Sequence, residues 1–158
     1  MLAKEIITLI KKYLETNSTF DEQMFGESIF SRMVTVETRL ELISVYSCDK
    51  YYLALVDHQR FEYSPRNNHW RRRVCMLFNE NGEHIETTFH FSSYSCYKDN
   101  RGDNPEYLYT DILSAYIRKD YFEVKVYSKD KTKVCILGSV MAFEKSEYGK
   151  KWKNPKKI

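Results

Sequence analysis

The chain is poor in the residues that interrupt regular structure. Its 158 residues include 5 glycines and 3 prolines, which excludes collagen-like and low-complexity disordered classes. No apolar run approaches the ~18 residues of a membrane span. The N-terminal stretch carries Lys4, Glu5, Lys11, Lys12 and Glu15, whereas a secretory signal needs an uninterrupted apolar segment and a cleavage site. Cysteine is sparse and irregularly placed, at positions 48, 75, 96 and 135. No CxxC pair and no zinc-ligand spacing occurs. The expectation is a cytoplasmic protein with free, buried thiols, no structural metal and no cofactor.

Catalytic signatures are missing as well. There is no Walker loop, GxGxxG, HExxH or GxSxG. The element order invites comparison with acetyl-CoA-binding acyltransferases, but their Arg/Gln-x-x-Gly-x-Gly/Ala pyrophosphate loop is absent. The segment in its place opens with Asp103-Asn104-Pro105, and Pro105 has no N–H to offer a phosphate.

Aromatic residues, by contrast, make up 15% of the chain, with 13 tyrosines. Tyrosine combines apolar area with a polar tip, which suits half-buried sheet faces and contact surfaces. The net charge of +3 is unevenly spread. Residues 60–73 hold five arginines and one glutamate, and residues 145–158 hold six lysines and one glutamate. Two basic stretches therefore interrupt an otherwise acidic chain, a matter of partners rather than of fold.

Leu2, Ile6, Leu9, Ile10 and Tyr13 recur at helical spacing, predicting a first helix over 2–15. Thr19 with Glu22 reads as a capping box opening a second helix to about residue 30. From Arg32 the period becomes two, predicting strands over 32–42 and from 51 towards 63. Asn81-Gly82 signals a hairpin with a two-residue type I′ loop. That loop pairs Phe78 with Ile85, Leu77 with Glu86, Met76 with Thr87 and Cys75 with Thr88. Asn104, Pro105 and Glu106 open a predicted helix through Leu108, Ile112, Ala115 and Tyr116. A closing hairpin over 121–143 completes the order α-α-β-β-β-β-α-β-β. The fold class is α+β: an antiparallel sheet of about six strands with about three helices on one face. Residues 1–144 form the single domain, and 145–158 a flexible basic tail.

Two constellations carry chemistry. His84, Glu86, Thr88 and His90 would share a strand face. His84 and His90 stand about 20 Å apart at strand rise, too far to act on one bond or metal. A hydrolase using His84, Glu86 and His90 is accordingly the third-ranked reading, and no catalytic residue is assigned. The second constellation is basic and aromatic: Arg60, Tyr63, Arg66, Trp70, Arg71 and Arg73, echoed by Lys150, Lys151, Trp152 and Lys153. These residue types dominate interface hot spots and also bind phosphates and bases. The leading expectation is a non-enzymatic protein-binding module, an inhibitor or accessory factor of the mobile-element (phage-like) type. Its partner would be a larger, nucleic-acid-handling protein. The alternative is a nucleic-acid binder that contacts phosphate through both basic stretches.

Overall fold

A computed structural model describes residues 2–25, 32–63, 68–88, 109–117, 122–128, 134–136, 151–153 and 155–158. Among them lie one helix, α1 (Ala3–Thr16), and ten strands. The strands are β1 (Thr19–Phe25), β2 (Arg32–Cys48), β3 (Tyr51–Tyr63), β4 (Asn68–Phe78), β5 (His84–Thr88), β6 (Tyr109–Ile117), β7 (Phe122–Ser128), β8 (Val134–Ile136), β9 (Lys151–Lys153) and β10 (Lys156–Lys157). The expected three helices and six strands are thus overturned, although every strand pair is antiparallel. One sheet runs β1-β2-β3-β4-β5, with β10 also on β2, and the other runs β8-β7-β6-β9.

Each helix that proved to be a strand has a physical reason. Phe20 and Met24, four apart, share a face in a helix and in a strand alike. Pairing with β2 along Thr19↔Thr38 to Phe25↔Arg32 decides the matter in favour of strand, as tertiary context overrides weak local propensity. In β6 the helix-like spacing comes from a bulge. The register shifts between Ile112 and Ser114. One extra residue lets Ile112 and Ala115, three apart, both enter the core at 4% and 0% exposure, where a regular strand would put them on opposite faces. The proposed cap at Asn104-Pro105 lies outside the described residues.

The core has two layers, one on each face of the first sheet. Ile6, Ile10 and Leu14 of α1 pack on Val45, Ala54, Val56, Val74, Met76 and Phe78. On the opposite face Tyr46, Cys48, Tyr51, Leu53, Leu55, Cys75 and Leu77 meet Ile112, Ala115, Val124 and Val126 of the second sheet. Central strands covered on both sides read as continuous apolar runs, as Leu53-Ala54-Leu55-Val56 does. The helix stripe is rotated from expectation: Leu14 is buried, while Leu2 and Leu9 are exposed.

The β4–β5 hairpin keeps its expected register at Cys75↔Thr88, Met76↔Thr87 and Leu77↔Glu86. Its turn differs. Gly82 N–H donates to the Asn79 carbonyl (3.0 Å) and Asn79 N–H to the Glu83 carbonyl (2.9 Å), closing a three-residue loop over 80–82. Only Gly82 of the loop has positive φ, +77°, as a type I turn followed by a left-handed residue requires. Asn79 Oδ1 braces the loop by accepting from the N–H groups of Asn81 and Glu83. The longer loop pairs Phe78 with His84, and a bulge at Ile85 restores the original register. Ile85 consequently packs against the layer between the two sheets rather than beside Phe78.

The segment expected to be a flexible tail contains β9, on β6, and β10, on β2. Ile158 N–H donates to the Val45 carbonyl at 3.0 Å, and its side chain packs against the helix layer. No helix among the described residues is long and apolar enough to cross a membrane.

Candidate contact surface on the long strands

β2, β3 and β4 have 17, 13 and 11 residues, longer than most strands of globular domains. Their buried halves, Ser44–Cys48, Tyr51–Asp57 and Val74–Phe78, hold the core. Their other halves continue with a polar and aromatic face, while Val36, Leu40 and Leu42 alternate onto the other face. On the polar and aromatic face the register sets Arg39, Gln59 and Arg71 in one row and Glu37, Phe61 and His69 in the next, with Thr35 opposite Tyr63.

Four side chains on this extension lock together. Arg39 Nε donates to Glu37 Oε1 at 2.6 Å, and its guanidinium carbon stands 4.9 Å from the Phe61 ring centroid. The Tyr63 hydroxyl donates to the other Glu37 oxygen at 3.1 Å. The Phe61 and Tyr63 rings stack at 6.3 Å with a 14° interplanar angle. The cation lies against an aromatic face, an electrostatically favourable arrangement. The hydrogen bond from Arg39, more than that from Tyr63, holds the Glu37 carboxyl below its ordinary range. Glu37 in turn raises the Arg39 guanidinium. The Tyr63 phenol is raised by local desolvation and by its bond to Glu37.

The basic and aromatic residues singled out in the sequence divide between the two sheets. Arg60 sits opposite Trp70, Arg71 opposite Gln59 and Arg73 opposite Asp57. Together with Tyr63 these occupy the extension of β3 and β4. Asp57 is buried and accepts from Gln59 Nε2 at 2.8 Å. Lys151, Trp152 and Lys153 form β9, opposite Tyr116, Ala115 and Ser114 in the other sheet. Arg66 and Lys150 lie outside the described residues. Arg39 and Glu37 escaped the sequence reading because they belong to neither basic stretch; the period-two alternation of β2 was their only signal.

The histidine face is rearranged. His84 pairs with Phe78 and Glu86 with Leu77. The bulge at Ile85 therefore puts His84 and Glu86 on opposite faces, where a shared face was expected. The His84 ring stacks on Tyr13 at 4.7 Å, and its Nε2 lies 2.8 Å from Thr87 Oγ1. Burial lowers its pKa, partly offset by nearby Glu86. His90 is outside the described residues. Among those described, no group of three or more His, Cys, Asp or Glu gathers closely enough to hold a metal ion.

These features define the class: antiparallel sheets carrying one helix and a polar, aromatic strand extension. No protein-family model, curated protein or solved structure matches the chain.

Proposed function

We propose that the protein is a non-enzymatic binding module that docks a larger protein through the extended halves of β2, β3 and β4. The observation that carries this reading is the Glu37–Arg39–Phe61–Tyr63 cluster. Arginine and tyrosine lead the residue types that dominate interface energetics. Here they are held in place before any partner arrives, which lowers the entropy lost on binding. The side chain of Arg39 is 50% exposed and Tyr63 is 44% exposed, so both remain reachable. An inhibitory or accessory role of mobile-element type, within the cytoplasm, is the biological setting this reading favours.

The test is affinity purification from native cells, with and without nuclease, followed by photocrosslinking from position 63. The expected result is a stoichiometric protein complex that survives nuclease and moderate salt and crosslinks through that position. Recovery of no protein partner defeats the reading. A second reading, nucleic-acid binding, is favoured by the five arginines of residues 60–73. It requires affinity that falls steeply with salt, each neutralised duplex phosphate contributing about −0.9 to the log–log slope.

A further inference from the structure

We infer that Asn81 is a site of spontaneous deamidation, driven by the backbone nitrogen of Gly82 and held in check by the folded β4–β5 loop. Asn81 is the one asparagine of the chain followed by glycine. The residue is exposed. Its backbone N–H is bonded, but among the described residues its carboxamide has no partner. Glycine places no Cβ beside its own nitrogen, so the attacking atom is as open as a backbone nitrogen can be. Nucleophile and carbonyl belong to adjacent residues, which makes ring closure an intramolecular step.

The Gly82 nitrogen loses its proton to hydroxide and attacks Asn81 Cγ. The N–Cγ bond forms, the Cγ–Nδ2 bond breaks, and the departing nitrogen takes a proton from water to leave as ammonia. Water then opens the cyclic imide. Opening at one carbonyl gives aspartate at position 81. Opening at the other gives an isoaspartyl linkage, with the main chain running through the former side chain. No oxidant or cofactor takes part.

The folded loop opposes the first step. Gly82 N–H donates to the Asn79 carbonyl at 3.0 Å, which retains its proton. Asn79 Oδ1 accepts from the N–H groups of Asn81 and Glu83 at 2.9 and 3.0 Å, and Asn79 Nδ2 donates to Glu83 Oε2 at 2.8 Å. The second central residue of a type I turn has ψ of about 0°, which turns the Gly82 nitrogen away from the Asn81 Cβ. Leu9 closes the other side, where a Cβ on Gly82 would lie 2.9 Å from its Cδ1. Attack therefore waits for local opening, and its rate follows the population of opened loops. Either product hinders reclosure, by a new carboxylate between Glu80 and Glu83 or by an added main-chain carbon. A molecule that has opened is thereby marked irreversibly.

The experiment incubates the full chain in mildly alkaline buffer, native or unfolded in urea. Position 81 is followed by peptide mapping with mass spectrometry and by enzymatic methylation of isoaspartate. In the unfolded chain Asn81 should be modified before any other asparagine. The native chain should react at least about tenfold more slowly. Asn79→Ala keeps the backbone bond to Gly82 but removes the Oδ1 brace; it should fall between the two while its circular dichroism stays native. In wild type below the urea midpoint, hydrogen exchange of the Gly82 amide, read by NMR, should rise together with modification, a comparison that needs no variant. Four results each overturn the inference: equal rates in native and unfolded chains, a folded Asn79→Ala no faster than wild type, modification that rises while Gly82 exchange does not, or another asparagine reacting faster in the unfolded chain.

Discussion

The imidazole of His84 lies nearly flat on the ring of Tyr13, with centroids 4.7 Å apart and planes 17° from parallel. Both rings also meet Phe78 edge-on, at 5.5 Å in each case. This three-ring contact fastens the last turns of α1 to the β4–β5 hairpin. The His84 pKa is depressed below its ordinary 6.5, chiefly by burial, so the folded state binds a proton less readily than the unfolded chain. Its contribution to stability is full above about pH 6.5 and declines as pH falls from there toward the folded value. Urea unfolding at pH 8 and pH 5 should show a midpoint lower at pH 5, and His84→Gln should narrow that difference.

Gly82 should resist substitution. A Cβ there would sit 2.9 Å from Leu9 Cδ1 and 3.2 Å from Leu9 Cβ, on a residue whose φ is +77°. Gly82→Ala is expected to cost about 1–2 kcal/mol. Adding Leu9→Ala should return part of that cost, because it removes the Cδ1 contact while the backbone strain persists. Thermal unfolding of the two single variants and the double variant measures the coupling.

Cys48 and Cys75 carry thiols buried within the layer facing the second sheet. Burial pushes the Cys48 thiol up to about 12 and raises Cys75 as well. Thiolate is the reactive form, so neither should be alkylated by iodoacetamide at pH 8 in the native protein. Both should react fully in denaturant. Peptide mapping by mass spectrometry reads each site separately.

Ile43 is the bulged residue of β2. Pairing passes from Leu42↔Val56 directly to Ser44↔Leu55, and Ile43 itself is 41% exposed. Deleting it leaves every pairing on both sides intact. The protein should fold, with a loss within about 2 kcal/mol. Deleting Arg39 instead would slip residues 32–38 by one position, turning buried Val36 outward. Circular dichroism and unfolding midpoints should rank Arg39 deletion far below Ile43 deletion.

The same bulge shows why the contact surface was hard to read from sequence. The strands β2 and β3 were visible in alternation, although the first was expected to end at residue 42 rather than at Cys48. A two-residue turn alone implies a register that sets Arg39 opposite Arg60. The extra residue at Ile43 moves Arg39 to Gln59 and aligns Glu37 with Phe61, which creates the cluster. Nothing in the local sequence marks that position, since an isoleucine within a strand is the expected residue there. The β4–β5 register was legible because both the turn residues and the side-chain alternation constrained it. The helix assignments for β1 and β6 failed for a different reason. Four-residue spacing in β1 and bulge-induced three-residue spacing in β6 both imitate a helical stripe.

Lys157 pairs with Tyr46 on β2, and Lys151 pairs with Tyr116 on β6. The first of these joins positions roughly 110 residues apart, so its closure carries the loop entropy of most of the chain. Non-local pairings of this kind slow folding. The margin of β2 beside Tyr46 and Ser47 is therefore expected to be the last part of the sheet to gain its neighbour. Until then, its backbone groups are open to another strand. Refolding yield should fall as protein concentration rises, and a synthetic peptide of residues 151–158 added during refolding should compete for that margin and slow recovery of the native state.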